Sequence, residues 1–253
     1  MTNRPLQEKG FIFDEKEHVY TLDGRPLHGV TSILSVIAKP ALIQWSADEV
    51  CKYIVENSPI QQTVQESMAK EFSYIVSGEI LKEARIAHRK KKEKAGQSGT
   101  DVHLALELLA KRQIEANQGL MGVDEKSDIP QVQLFIDWAI KNQVKFIESE
   151  KRVYSRESWY AGTLDLILEM KGEKYIADIK TSSAIYPEAY IQMSAYQGAL
   201  EEMGEHLDIK GAMVINLPKK GGFEIGMNYA YDDNRIAFLA ALVLYKQLQA
   251  LNK

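Results

Sequence analysis

Gly162-Thr163-Leu164-Asp165-Leu166-Ile167-Leu168-Glu169-Met170, then Lys171-Gly172, then Glu173-Lys174-Tyr175-Ile176-Ala177-Asp178-Ile179-Lys180, reads as two strands around a turn. Antiparallel pairing makes the geometry of this segment calculable. With a two-residue loop at Lys171-Gly172, Met170 faces Glu173 and Asp165 lies directly across from Asp178. Directly opposed residues have Cβ atoms ~4.5–5.5 Å apart. Lys180 is two residues beyond Asp178 and shares its face. A four-residue loop opposes Asp165 to Lys180 and still keeps the three groups on one face. A three-residue loop flips the parity and separates them.

Ile176, Ala177 and Ile179 flank the charged positions. Two carboxylates held together in an apolar sheet repel each other and lose hydration, and a divalent cation resolves both costs. Carboxylates and a backbone carbonyl are hard oxygen ligands of the kind that Mg2+ or Mn2+ prefers. A nearby ammonium orients a water whose pKa the metal lowers, which is equipment for phosphodiester hydrolysis. The same residues also read as a structural ion pair of Lys180 with Asp165 or Asp178.

Working outward, Val144–Tyr154 reads as the strand before this pair, and a helix from Pro187 to about Met203 follows it. Ala212–Leu217 and Phe223–Tyr229 read as further strands, before a last helix from Asp232 to Leu251. That order implies an α/β domain with a mixed central sheet flanked by helices. Upstream, Pro130 opens a helix to about Asn142, and residues 116–129 read as a loop. Gly96-Gln97-Ser98-Gly99 reads as a breaker, with Thr100 or Ser98 capping a helix to about Glu115. His103 and Glu107 share one face of that helix, as Gln192 and Tyr196 share a face of the helix after the strand pair. Gln and Tyr are good donors to phosphate oxygens. Thr181-Ser182-Ser183 adds three hydroxyls directly after Lys180.

Before residue 96, Phe11–Phe13 and His18–Leu22 read as small strands with a tight turn at Asp23-Gly24. Thr31 or Ser32 caps a helix through Ile37, Pro40 starts one running from Ala41 to about Asn57, and Pro59 starts another to about Val76. With the basic segment after Gly78, residues 32–95 read as helical. The expected division is therefore a hairpin and helical region over 1–95, packed on a core over 96–253.

The chain has 253 residues with 45% hydrophobic and 26% charged side chains, which excludes whole-chain disorder. The net charge is −4, yet residues 79–95 hold seven cations against three acids. A basic helix on an acidic body suits a polyanion, although it also reads as a solvated face. Arg85, Arg89, Lys90, Lys91 and Lys92 lead that segment. No apolar run approaches the ~18–20 residues of a membrane span. The N-terminus has no apolar signal core, so a cytoplasmic location is expected. Lone Cys51 excludes a disulfide framework, a four-Cys zinc site and a Cys-ligated cluster, and reads as a buried small apolar residue near Trp45.

Taken in order, Gly99-Thr-x-x-His103-x-x-x-Glu107, Gly162-Thr-x-Asp165, Asp178-Ile-Lys180-Thr181 and Gln192-x-x-x-Tyr196 resemble the PD-(D/E)XK nuclease superfamily. The likeness is to its RecB-like branch, which includes bacteriophage exonucleases and the mitochondrial genome maintenance exonuclease. Val30-Thr-Ser-Ile-Leu34 and Leu42-Ile-Gln-Trp45 are similar to the leader of the phage members. The resemblance implies a restriction-endonuclease-like core and a metal-dependent DNA nuclease, with an exonuclease expected. Its work would lie in recombination, replication or end processing with the proteins of those pathways, in a bacterial or phage-infected cell.

The resemblance further implies Mg2+ or Mn2+ held by His103, Asp165, Asp178 and the carbonyl of Ile179, with Lys180 on the attacking water. Glu107 and Glu150 would support the metal, and Gln192, Tyr196, Thr181 and Ser182 would contact DNA beside it. The basic helix would follow the DNA backbone. No four-Cys iron–sulfur cluster is expected. Two other readings stay open: a nuclease fold that binds DNA without cutting, and a phosphohydrolase for small phosphoesters.

Overall fold

The computed structural model describes residues 10–63, 71–116 and 125–251. The chain divides into two compact units, Met1–Ile37 with Asp101–Lys253, and Ala38–Thr100. The first unit opens with β1 (Phe11–Asp14), β2 (Val19–Leu22) and β3 (Arg25–Pro26), an antiparallel meander. Asp23 and Gly24 both take positive φ, 52° and 73°, in the tight turn between β2 and β3. β4 (His28–Gly29) and α1 (Val30–Ile33) follow, and a 3-10 turn over Leu34–Val36 replaces the expected continuation of that helix. Its N-cap is Gly29 rather than Thr31 or Ser32.

The second unit holds α2 (Pro40–Asn57), β5 (Ile60–Thr63), β6 (Glu71–Tyr74) and the start of α3 (Gly78–Glu115). β5 and β6 pair antiparallel through Ile60↔Tyr74, which overturns the expected helix from Pro59 to Val76. Gln61, Gln62 and Thr63 offer no helical apolar stripe, and backbone pairing takes over there. α3 runs unbroken through Gly96–Gly99, so the expected breaker is absent. Two glycines cost roughly 1 kcal/mol each in a helix, and neighbouring turns can carry that. Cys51 is exposed on α2, against the expectation of burial.

The first unit continues with α4 (Pro130–Lys141), β7 (Lys145–Ser155), β8 (Tyr160–Met170), β9 (Glu173–Lys180), α5 (Glu188–Glu202), β10 (Ile209–Asn216), β11 (Glu224–Asn228) and α6 (Tyr231–Leu251). These elements make a mixed α/β sheet flanked by helices. β7, β8 and β9 form an antiparallel meander, α5 crosses over to place β10 parallel to β9, and β11 returns antiparallel. Lys171 and Gly172 form a two-residue turn with φ 56° and 81°, and Met170 pairs with Glu173. Both positive φ values match the twist of the flanking strands.

The edge of β8 decides where a site can form. β7 covers one edge from Tyr160 to Glu169. The other edge is shared: β9 pairs along Leu166–Met170, and β4 pairs in parallel with Tyr160 and Ala161. Gly162–Asp165 lie between these two partners. β4 thus ties the N-terminal hairpin to the sheet, so the division between units falls at 37 and 101 rather than at 95.

Two cores cover the sheet. Ile33, Tyr160, Leu164, Ile167, Ile176, Met193 and Phe238 pack on the α5–α6 side. Leu106, Phe135, Ile136, Leu166, Leu168, Tyr175 and Ile179 pack on the α3–α4 side. On α4 the buried residues Val132, Phe135, Ile136 and Ala139 follow helical spacing. Leu164 and Leu166 fall in different cores, so the strict alternation of β8 slips at Asp165. Opposite it on β7, Glu150 takes φ 51°. Tyr160 is fully buried, its hydroxyl donates to the Ala195 carbonyl at 2.8 Å, and its ring meets Phe238 edge-on at 4.9 Å. Tyr160→Phe is expected to cost about 1 kcal/mol in urea unfolding. No measurable change would remove this hydrogen bond from the account of the core.

Candidate active site

The two-residue turn sets the β8–β9 register as far as Leu166↔Ala177, and Asp165 and Asp178 are the residues just beyond that last pair. Asp178 is 2% exposed and ion-pairs with Lys180. Asp165 Oδ2 accepts the backbone N–H of Ile179 at 2.7 Å. Burial pushes both carboxyls above their ordinary range. Asp178 is raised to about 6 by burial and then by Asp165, with Lys180 opposing. Asp165 is raised by burial, with Lys180 and the Ile179 N–H opposing.

His103, on α3, places Nδ1 4.0 Å from Asp165 Oδ2. Burial and then Lys180 lower its pKa, against Asp178 and a hydrogen bond to the Ile179 backbone. A neutral imidazole is the ligand form. Among the described residues, only Glu148, Glu205 and His206 bring three ligand atoms within 4.8 Å of one another, so the His103, Asp165 and Asp178 set is less tightly closed. In the Glu148 cluster, however, Lys151 Nζ lies 3.1 Å from Glu148 and 2.6 Å from Glu205. That ammonium already answers both carboxylates, and the cluster is an ion-pair network. The Asp165–Asp178 pair is different: two desolvated acids share one cation, and the donors are hard oxygens and an imidazole. This set fits a divalent cation.

Glu107 and Glu150 join Asp165 in lining a cavity of about 750 Å3 beneath the open stretch of β8. Glu150 is raised to about 7 by burial, then by Asp165 and Glu107. Glu107 is ion-paired to Lys111. Gln192 donates Nε2 to Tyr196 Oη at 2.8 Å, and both line the same cavity. Burial, foremost, raises the Tyr196 phenol. A Cβ on Gly162 would stand 2.5 Å from Tyr196 Cε1, so the Tyr196 ring occupies the space a side chain there would need.

Ser182 gives its hydroxyl to the Ala184 carbonyl at 2.6 Å, closing its own turn, and Thr181 is partly buried. Trp159 Nε1 donates to Pro26 and carries Arg25 on its ring, so Trp159 and Tyr160 both serve packing. Arg85, Arg89, Lys90, Lys91 and Lys92 are exposed on the part of α3 in the second unit. Lys90 pairs with Glu83 and Lys91 with Glu49. Lys82, Arg85, Arg89 and Lys92 follow one helical face.

Several contributors carry no sequence signal of their own. Asn216 is fully buried, and its amide bridges the carbonyls of Lys180 and Ser182 at 3.2 and 3.1 Å, fixing the end of β9. Its one hint is a polar residue in the apolar run Ala212–Leu217. His28 and Tyr245 also line the cavity, and only the tertiary fold brings them there, whereas Lys111 and Arg152, which line it too, stand four residues after Glu107 and two after Glu150.

No family model and no curated protein matches the chain. A solved structure described as the crystal structure of SSO0001 is similar over 48% of this chain and 58% of that one, with 14% identity and a TM-score of 0.32. Among the described residues no helix is long and apolar enough to cross a membrane.

Proposed function

We propose that the chain is a metal-dependent DNA nuclease of the PD-(D/E)XK kind, with a RecB-like exonuclease core, working on DNA ends in recombination, replication or end processing. One observation carries this reading: buried Asp178, ion-paired with Lys180, feels the charge of Asp165, which stands on the unpaired stretch of β8 and lines a cavity of about 750 Å3. Asp165, Asp178, His103 and the Ile179 carbonyl would hold Mg2+ or Mn2+, with Glu107 and Glu150 in support. When bound, such an ion polarises the scissile phosphate and lowers the pKa of a water.

The remaining steps belong to the chain itself. Lys180, held beside Asp178, donates to the attacking water and fixes its direction. Gln192 and Tyr196 present an amide and a phenol to phosphate oxygens. The exposed face of Lys82, Arg85, Arg89 and Lys92 takes up backbone phosphates by counterion release.

The test is digestion of end-labelled linear duplex, circular and single-stranded DNA with Mg2+, Mn2+ or EDTA, beside Lys180→Ala. Metal-dependent loss of linear but not circular DNA, absent in the variant, is the expected outcome. Cutting of circles makes the enzyme an endonuclease. Binding without cutting removes catalysis from the proposal, and neither binding nor cutting removes DNA. Activity is also expected to fall steeply between about 50 and 200 mM salt, because several phosphate contacts are released together. A flat salt response would detach the basic helix from the substrate.

A further inference from the structure

Asp178 and Lys180 stand at an end of β9 that one strand alone pairs. The ladder to β8 stops at Leu166↔Ala177, while β10 runs on beside Asp178, Ile179 and Lys180. Along β10, Val214 lies beside Asp178 and Asn216 beside Lys180. Parallel partners share a face, so the Asn216 side chain is on the face that carries Asp178 and Lys180. Asn216 is fully buried within the run Ala212–Leu217, where a leucine or valine would pack without desolvating an amide. Its amide nitrogen donates to the Lys180 carbonyl at 3.2 Å and to the Ser182 carbonyl at 3.1 Å. The Lys180 carbonyl already accepts the Leu217 N–H at 2.7 Å, so the ladder closes without that amide. What the amide adds is a tie from β10 to the turn Lys180–Ser182, where the chain leaves the sheet for α5. Strand ends open at little cost unless they are tied.

We infer that Asn216 is a positioning residue for Lys180. By holding the carbonyls of Lys180 and Ser182 it sets the direction in which the Lys180 side chain leaves β9, and so where the ammonium stands beside Asp178. This inference rests on the nuclease reading for the reaction that Lys180 serves. Asn216 is 0% exposed, so it acts through Lys180 and not on a substrate. The carboxylates are anchored separately. Asp165 Oδ2 accepts the Ile179 N–H at 2.7 Å, and Asp178 lies two residues inside the tied end, with Val214 beside it. Loss of the amide therefore loosens the lysine and leaves the carboxyl pair in place. A shift of about 1 Å in a group that orients the attacking water costs on the order of a hundredfold in rate.

The experiment compares the unmodified protein with Asn216→Leu, which keeps the size and loses both hydrogen bonds, and with Asn216→Ser, which keeps one donor in a smaller side chain. Cleavage of linear DNA is measured against DNA concentration and against Mg2+. The kcat is expected to fall about a hundredfold in Asn216→Leu and about tenfold in Asn216→Ser, with KM and half-saturating Mg2+ within about twofold of the parent. Serine leaves the larger hole, so a role in packing alone would rank the two variants the other way. Hydrogen–deuterium exchange of the metal-free proteins, followed by mass spectrometry, is a readout apart from cleavage. Peptides covering 179–186 are expected to exchange faster in both variants, and those from β7 and β8 to stay as they are. A parent-like kcat in Asn216→Leu overturns the inference and keeps the nuclease, as does a loss that falls equally on KM and half-saturating Mg2+. Should Asn216→Leu fail to fold, the same two outcomes in Asn216→Ser decide. Unchanged exchange over 179–186 also overturns the inference. Faster exchange there, in a protein whose parent cuts no DNA, keeps the tie that places Lys180 and removes the nuclease.

Discussion

Asp178→Asn is expected to abolish metal-dependent cleavage and, at the same time, to make the metal-free protein more stable. Both effects come from one carboxylate. Removing a negative metal ligand forfeits several kcal/mol of transition-state stabilisation, about a thousandfold in rate. Yet Asp178 is buried against Asp165, and its pKa is raised to about 6 from 3.8. A carboxyl whose folded pKa lies above its unfolded value destabilises the fold once ionised. The sign follows directly: as pH rises from about 4 to 6, the unfolded chain gives up this proton first, and metal-free stability falls. Asparagine keeps the shape, removes the repulsion and flattens that part of the pH profile. Lys180, 33% exposed, remains hydrated without its partner. Thermal unfolding in EDTA at pH 5 and pH 7 checks the stability half. Unfolding with Mg2+ checks the ligand half: the ion should raise the Tm of the unmodified protein and leave the variant unmoved. A variant less stable than its parent in EDTA at pH 7 would mean that the Asp178–Lys180 ion pair outweighs the repulsion, and that the site is built for structure.

The register at Lys171-Gly172 shows why part of this site was legible in the sequence. A two-residue turn fixes the pairing as far as Leu166↔Ala177, so counting brings Asp165 and Asp178 to the same end of the ladder. The α4 stripe and the proline-led starts of α2 and α4 were legible for the same reason, since local periodicity and capping set them. Tertiary and backbone effects were not. Nothing near Gly96–Gly99 announces that α3 continues through two glycines. Residues 59–76 lack a clear period of either kind, and the helical expectation there lost to strand pairing. Cys51 sits on an exposed position of α2, where residue type alone suggests burial. In the site, His28 and Tyr245 come from segments far from the motifs in sequence. The slip of β8 at Asp165 needs both cores to be seen at once.

Gly162→Ala is expected to cost about 1–3 kcal/mol in stability, the range for forcing a methyl into a packed interior. Cleavage should fall with it. The reason is space and not backbone freedom, because the added Cβ would stand 2.5 Å from Cε1 and 3.3 Å from Oη of Tyr196. Tyr196 is buried, packed in the α5–α6 core and bonded through its hydroxyl to Gln192, so turning the ring would cost that packing and that hydrogen bond. A displaced ring draws Oη away from the open edge of β8 and breaks the Gln192 bond, which removes two donors from the cavity wall. Removing a positioned donor costs on the order of a hundredfold in rate. The double variant Gly162→Ala with Tyr196→Leu isolates the mechanism. With the ring gone, the alanine meets a smaller neighbour, and its stability cost should shrink to well under the single-variant value. Residues in contact are expected to be non-additive in this way. Urea unfolding of the four proteins closes the cycle. Additive costs would mean that Gly162 serves the strand backbone, and the close approach of Tyr196 would then lose its role in setting the site.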